Sequence, residues 1–152
     1  MFDILLYLFE NYFHSNFYPD QDALARKLAA AGFDSDEISR ALDWLSDLEN
    51  LSPNQYPESL AQSRSLRCYS DTELKKLNAE SRGFLTFLEG AGILNPVQRE
   101  WVIDRVLALT GEEVTLEKVK WIALIVLWRQ GHNQDYLLLE ELLFSDNEQQ
   151  LH

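Results

Sequence analysis

The residues best suited to catalysis are few and lie far apart in the sequence. The three histidines, His14, His132 and His152, belong to no metal-binding pattern such as HExxH, and the single cysteine has no second thiol with which to hold a metal ion. That cysteine, Cys68, follows Arg67, but no candidate general base adjoins it. We therefore expect a buried or bystander thiol, and neither a catalytic residue nor a metal site.

Phosphate-binding loops and paired catalytic carboxylates are also missing from the sequence. Neither GxGxxG nor GxxxxGK[ST] occurs, and no run of Asp and Asn has the spacing of a calcium loop. The adjacent acids Glu112-Glu113 and Glu140-Glu141 point to different faces of a helix, so we interpret them as helix-entry or solvent-facing charges. The prediction is a protein that is not an enzyme and that binds no cofactor.

One group of residues between positions 80 and 109 combines cations with aromatic rings. It consists of Arg82, Phe84, Arg99, Trp101 and Arg105. Since Trp101 and Arg105 are four residues apart, they share a helix face on which a guanidinium can stack on an indole. This group is the candidate interaction patch, for an anion or for another protein. The favoured interpretation is simpler: the arginines neutralise nearby acids. Those acids are Glu80, Glu89, Glu100 and Asp104.

The charge balance limits the possible partners. The 152 residues include 25 acidic and 13 basic side chains, a net charge of −12. Affinity for nucleic acid comes largely from Lys and Arg that displace counterions, so direct binding to DNA or RNA is not expected. The same charge suits a basic protein partner, or imitates nucleic acid towards a protein that binds it. Solubility alone is the plainer explanation.

Composition also predicts where the protein resides. A single cysteine fits a reducing compartment, and the chain begins Met1-Phe2-Asp3, with an acid where a secretory signal would carry a basic residue. The longest apolar run, residues 121–128, is far shorter than the roughly 20 residues needed to span a bilayer. The expectation is a cytoplasmic protein without a membrane segment.

The sequence predicts that the elements that position these residues are helices. Residues 2–14 are apolar on nearly every side, and residues 20–50 predict two helices, the first capped by Asp20 or Asp22 and ended by Gly32. The residue spacing of this pair resembles that of a helix-turn-helix, but its second helix is rich in acidic residues. We therefore interpret it as a packed helical hairpin and not as a DNA reader.

The remainder predicts an irregular segment followed by a helical bundle. Residues 51–69 have no periodic pattern, apart from a short extended piece near 66–69. A capping box at Ser70 starts a helix whose inner face begins with Leu74 and Leu77, with a break at Arg82-Gly83. Further helices follow over about 96–109, 115–130 and 134–144. The predicted fold is all-α with about seven helices: an N-terminal helical unit (1–50), an irregular linker (51–69), and a C-terminal bundle with a frayed tail (70–152).

Several stretches taken together resemble the Smg family, small bacterial proteins of uncharacterised function. The matching segments are MFDILLYLFE (1–10 with position 6 left open), AGF (31–33), RGFL with FLE (82–89), RE with VI (99–103), LAL (107–109), KW (120–121), EELLF (140–144) and the final LH (151–152). The resemblance implies a bacterial protein whose gene often lies beside that of a DNA-processing protein. It implies no catalytic residue.

Two functions remain as expectations. The first is a non-enzymatic acidic adaptor or regulator that acts through protein–protein contacts, with a basic protein as one kind of partner. The alternative is an accessory of nucleic-acid metabolism, linked to DNA processing or acting as an acidic mimic that competes for a basic partner.

Overall fold

A computed structural model describes residues 2–12, 19–51, 68–109 and 113–130. In these ranges the backbone forms seven α-helices and no strand, which confirms the all-α prediction. The helices are α1 (Phe2–Tyr12), α2 (Gln21–Ala30), α3 (Ser35–Asn50), α4 (Asp71–Lys76), α5 (Ala79–Gly90), α6 (Pro96–Leu107) and α7 (Leu116–Gln130). The chain divides into two compact units, Met1–Asn50 and Leu51–His152.

The N-terminal unit packs α1 and α2 against α3. The Asp20 carboxylate caps α2 by accepting the backbone N–H of Ala23 at 2.8 Å. Gly32, with a φ of +99°, ends α2 in the left-handed region, and Phe33 donates its N–H back to the Leu28 carbonyl at 3.2 Å. This is the predicted Schellman ending. The turn leaves only four residues between α2 and α3, so the two helices form the expected hairpin.

The C-terminal unit begins with the predicted capping box. Ser70 accepts the Glu73 N–H at 3.3 Å, while the Glu73 carboxylate accepts the Ser70 N–H at 2.9 Å. The helix that follows is only six residues long and stops at Lys76. Leu77 then takes an extended conformation with a fully buried side chain, whereas Leu74 is 41% exposed. The prediction that Leu74 lies on the inner face was therefore wrong.

The helix break also lies elsewhere than predicted. It falls at Leu77 and Asn78, where the Asn78 side chain accepts the Ser81 N–H at 2.8 Å and starts α5. Gly83 lies inside α5 on an exposed face, so Arg82-Gly83 does not interrupt the helix. The Asn78 cap determines where α5 begins, because its side chain accepts a hydrogen bond from a backbone N–H that the first turn of a helix leaves unpaired.

Helix α6 contacts α4, α5 and α7. The predicted Asn95-Pro96 start is present, and Asn95 and Gln98 form a second capping box with side chain to backbone distances of 2.8 and 2.9 Å. Helix α7 supplies an unbroken buried run over residues 122–127. Its predicted role as a core helix fits this burial.

Part of the sequence prediction lies outside the described residues. This applies to 52–67 within the predicted linker, to the helix at 134–144 and to the tail. Cys68 and Tyr69 are described, and they belong to neither helix nor strand.

Candidate functional site

The five residues of the candidate interaction patch differ in exposure. Arg99, Trp101 and Arg105 are buried, with relative exposures of 4%, 4% and 7%, whereas Arg82 and Phe84 are half-buried. The three buried residues all lie on α6, which has neighbouring helices on several sides. Arg82 and Phe84 lie on α5 and are the members that solvent reaches.

Arg99 is held between two carboxylates. Its Nη1 donates to Glu89 at 2.7 Å and its Nη2 donates to Glu100 at 2.9 Å. Glu89 comes from the last turn of α5, so this ion pair joins α5 to the start of α6. The Nε of Arg99 is buried, and no described residue forms a hydrogen bond with it. An incoming anion would have to displace the two carboxylates to reach this guanidinium.

Arg105 and Arg82 are also engaged with their own surroundings. Nε and Nη2 of Arg105 both donate to one carboxylate oxygen of Asp104, at 2.9 and 2.6 Å. Arg82 donates weakly through Nε to the Asn78 carbonyl at 3.4 Å. Two of the three arginines therefore have the acidic neighbours expected of charge neutralisation.

The aromatic members have different environments. Lys120 of α7 lies over the Phe84 ring, with its Nζ 5.7 Å from the ring centroid, a cation–π distance. Trp101 is buried, and its indole Nε1 has no hydrogen-bond partner within the described part of the chain. The patch thus stays a prediction, and its accessible members are Arg82 and Phe84. Phe87, which was not part of the predicted patch, is strongly exposed one turn beyond Phe84 on α5.

A second feature, which the sequence prediction missed, is an open groove of about 330 Å³ between α2 and α3. Its apolar lining comes from Ala25 and Ala29 of α2 and from Ile38 and Leu42 of α3. Asp22 and Asp43 also line it, together with Gln21, Ser35 and Ser39. The sequence does contain a signal for this groove. In each of the two helices, a pair of small residues lies four positions apart, a spacing that places both members on one face of that helix.

Acidic charge is concentrated in the unit that contains this groove. Residues 1–50 contain ten acidic and three basic side chains, a net charge of −7, so the remaining two thirds of the chain contribute −5. Helix α3 alone contains five acids and one base, Arg40. Asp36, Asp43 and Asp47 of this helix are all exposed.

The other residues considered for chemistry fall into two classes. All three histidines lie outside the described residues, as do Glu112, Glu140 and Glu141. Among the residues that the structure does describe, Cys68 is exposed and no three His, Cys, Asp or Glu side chains are grouped as metal ligands would be. None of the described helices combines the length and apolarity needed to cross a membrane.

Comparison with known proteins gives a consistent family. The model of a family described as a protein of unknown function (DUF494) matches residues 1–152. The chain is 48% identical to the Protein Smg homolog of Methylobacillus flagellatus over 154 residues, covering 100% of both chains. It is 51% identical to that of Azoarcus sp. strain BH72, covering 98% of this chain and 96% of the relative.

The Protein Smg homolog of Nitrosomonas europaea is 46% identical over 152 residues, with 100% of both chains covered. No solved structure matches the chain. Full-length agreement at this level of identity confirms the resemblance seen in the sequence: the chain belongs to the Smg family of bacterial proteins.

Proposed function

We propose that this protein is a non-enzymatic adaptor or regulator of the bacterial cytoplasm that acts by binding another protein. The supporting observation is the concentration of acidic side chains on exposed helix faces of the N-terminal unit. Such a field attracts a basic partner and speeds its encounter, while it repels nucleic acid and other acidic surfaces. The single cysteine suits the reducing cytoplasm.

The partly exposed side of α5 is a second contact surface. Phe84 and Phe87 are three residues apart and therefore neighbours on the helix, whereas Arg82 lies two residues before Phe84 and so on a different side of the helix. Aromatic and arginine side chains are enriched where proteins bind one another. The surface residues of the predicted patch thus serve the same proposed function as the acidic unit.

Affinity purification after cross-linking tests the proposal. The full chain, tagged and expressed at its native level, should recover one partner in stoichiometric amount, and increasing salt during washing should release that partner when cross-linker is omitted. A matched bait, an unrelated acidic helical protein of similar charge, controls for general attraction. Failure to recover a stoichiometric partner, together with catalytic turnover by the purified chain, would contradict the adaptor function.

The hairpin of α2 and α3 favours a second candidate, an accessory of nucleic-acid metabolism. Its two helices and short turn have helix-turn-helix order, yet α3 carries five acids and one base, so docking as a DNA reader would bring a negatively charged helix to the phosphates. An acidic mimic that occupies the nucleic-acid site of a basic protein reconciles both features. A mobility-shift assay at low salt separates the cases: the mimic displaces nucleic acid from its partner without binding it, whereas a direct binder shifts the nucleic acid alone.

A further inference from the structure

The groove between α2 and α3 offers both shape and charge to a ligand. Solvent reaches its apolar lining mainly at Ala29, which is exposed, and Ala25, which is half-buried, because Ile38 and Leu42 are only 5% and 8% exposed. The small side chains of the walls, Ala25 and Ala29 on one and Ser35 and Ser39 on the other, allow another backbone to approach closely. A regular element with small or medium apolar side chains on one face fits such a surface, in the way that helices pack ridges into grooves.

The charged side chains around the groove determine whether a bound element should be basic or acidic. Asp22 on α2 and Asp43 on α3 line it directly, and Asp36 and Asp47 are exposed on the same helix as Asp43. The basic side chains nearby are Arg26 and Arg40, both exposed, and Lys27, whose Nζ lies 5.4 Å from the centroid of the Tyr12 ring. These three cations leave the unit with its net charge of −7.

The net charge also disfavours a second copy of this chain as the occupant. Two such units would bring like charges together at an interface, which costs free energy at short range. A basic element of another protein instead gains charge complementarity at the rim while it covers the apolar lining.

We infer that the α2–α3 groove binds a basic amphipathic helix of a partner protein. The inference rests on the proposed function and specifies its site and the chemistry of the partner. Apolar side chains of the incoming helix lie on Ala25, Ala29, Ile38 and Leu42, and its flanking Lys or Arg side chains face Asp22 and Asp43. The lining residues span positions 21–29 and 35–43, about 12 Å along each helix, so two to three helical turns of the partner cover them.

A synthetic peptide provides the probe. It is a fluorescent amphipathic helix of about 18 residues, about five turns, with Ala and Leu on one face and Lys on its flanks. A second peptide with Glu in place of every Lys is its charge-reversed control. Fluorescence anisotropy with the full chain should show saturable one-to-one binding of the basic peptide and none of the acidic one. Amide resonances of α2 and α3 should shift in NMR spectra, and those of α5 and α6 should not.

Two variants locate the binding. The double substitution Asp22→Lys with Asp43→Lys should weaken the affinity by about ten-fold or more, because it reverses both charges that line the groove. The matched control, Asp3→Lys with Glu10→Lys, makes the same charge change on exposed positions of α1, one of them again in a first helical turn. It should change the affinity by less than about three-fold, since these acids line no part of the groove.

A third variant tests the role of the groove without changing any charge. Ala29→Trp fills the groove at an exposed position of α2 without altering the net charge, and it should abolish one-to-one binding. Equal weakening by the groove and control reversals, tight binding by Ala29→Trp, or resonance shifts spread over both units would overturn the inference. So would binding of a small apolar compound that leaves the basic peptide unbound.

The same variants distinguish this inference from the wider proposal. If the native partner is recovered equally well by the wild-type chain and by Ala29→Trp, the adaptor function stands and the groove is not its site. If the wild-type chain recovers no partner and turns over a substrate, the adaptor function itself fails.

Discussion

At the scale of single residues, burial decides the role of the arginines on α6. The sequence correctly pointed to Glu89, Glu100 and Asp104 as their acidic neighbours. It did not indicate that Arg99 and Arg105 are buried, because the apolar spacing of this helix predicts a single inner face. Contacts of α6 with three other helices bury the remaining faces as well, and no local pattern encodes such contacts.

The ion pair of Arg99 gives a residue-scale prediction. Arg99→Met removes the cation that pairs with both Glu89 and Glu100, whose side chains are only 22% and 16% exposed. Removal of one partner from a buried pair costs about 3 kcal/mol of unfolding free energy. Urea denaturation followed by tryptophan fluorescence measures this change.

A control from the same candidate patch is Arg82→Met. Arg82 is half-buried, and its side chain donates a single long hydrogen bond, to a backbone carbonyl, within the described part of the chain. Its loss should therefore change the unfolding free energy by less than about 0.5 kcal/mol. If the two variants are equally stable, the Arg99 pairs contribute nothing and α5 is joined to α6 by apolar packing alone.

At the scale of elements, helix starts were predicted well where the signal is local. Ser70 with Glu73, and Asn95 with Pro96, are complete within four residues, and both start helices as expected. The break before α5 was misplaced, because Gly83 was read as an interruption and Asn78 was not read as a cap. The groove between α2 and α3 was missed for another reason: it depends on the distance between two helices, which sequence spacing does not specify.

The Asn78 cap supplies an element-scale prediction. Asn78→Ala removes the acceptor of the Ser81 N–H and should destabilise the C-terminal unit by about 1 kcal/mol. Asn78→Asp keeps an acceptor oxygen at the helix start and should stay within a few tenths of a kcal/mol of wild type. Chemical denaturation of the two variants tests this, and a similar loss in both would mean that the side-chain hydrogen bond is not what starts α5.

Two glycines of one unit should respond in opposite directions to the same substitution. Gly92 has a φ of +77°, so Gly92→Ala strains the ending of α5 and should cost about 1–2 kcal/mol. Gly83 lies in the helix interior, and no atom of the described residues is within 4 Å of an added Cβ, so Gly83→Ala should stabilise by about 0.5–1 kcal/mol. Thermal unfolding of both variants is the measurement. Destabilisation by Gly83→Ala would revive the predicted break at that residue.

At the scale of the whole molecule, the sequence predicted the total charge directly but did not show where on the surface that charge lies. The total of −12 follows from composition alone, but its weighting towards exposed faces of the N-terminal unit required the helix positions. Asp43 and Asp47 are four residues apart on one exposed face, a spacing at which like charges oppose the helix. We interpret this arrangement as a stability cost that accompanies the proposed attraction for a basic partner.

The repulsion predicts that salt stabilises this protein. Between about 10 and about 100 mM NaCl the Debye length falls from about 30 Å to about 10 Å, so repulsion between distant exposed acids is largely screened. A gain of about 1 kcal/mol corresponds to a rise in Tm of roughly 2–4 °C for a chain of this size. Far-UV circular dichroism during heating measures it. The variant Asp43→Lys with Asp47→Lys raises the net charge by four and should be less sensitive to salt. A Tm that falls with salt in the wild-type chain would show that attractive ion pairs outweigh the acidic repulsion, and the acidic faces would then be neutralised within the molecule instead of being available to a partner.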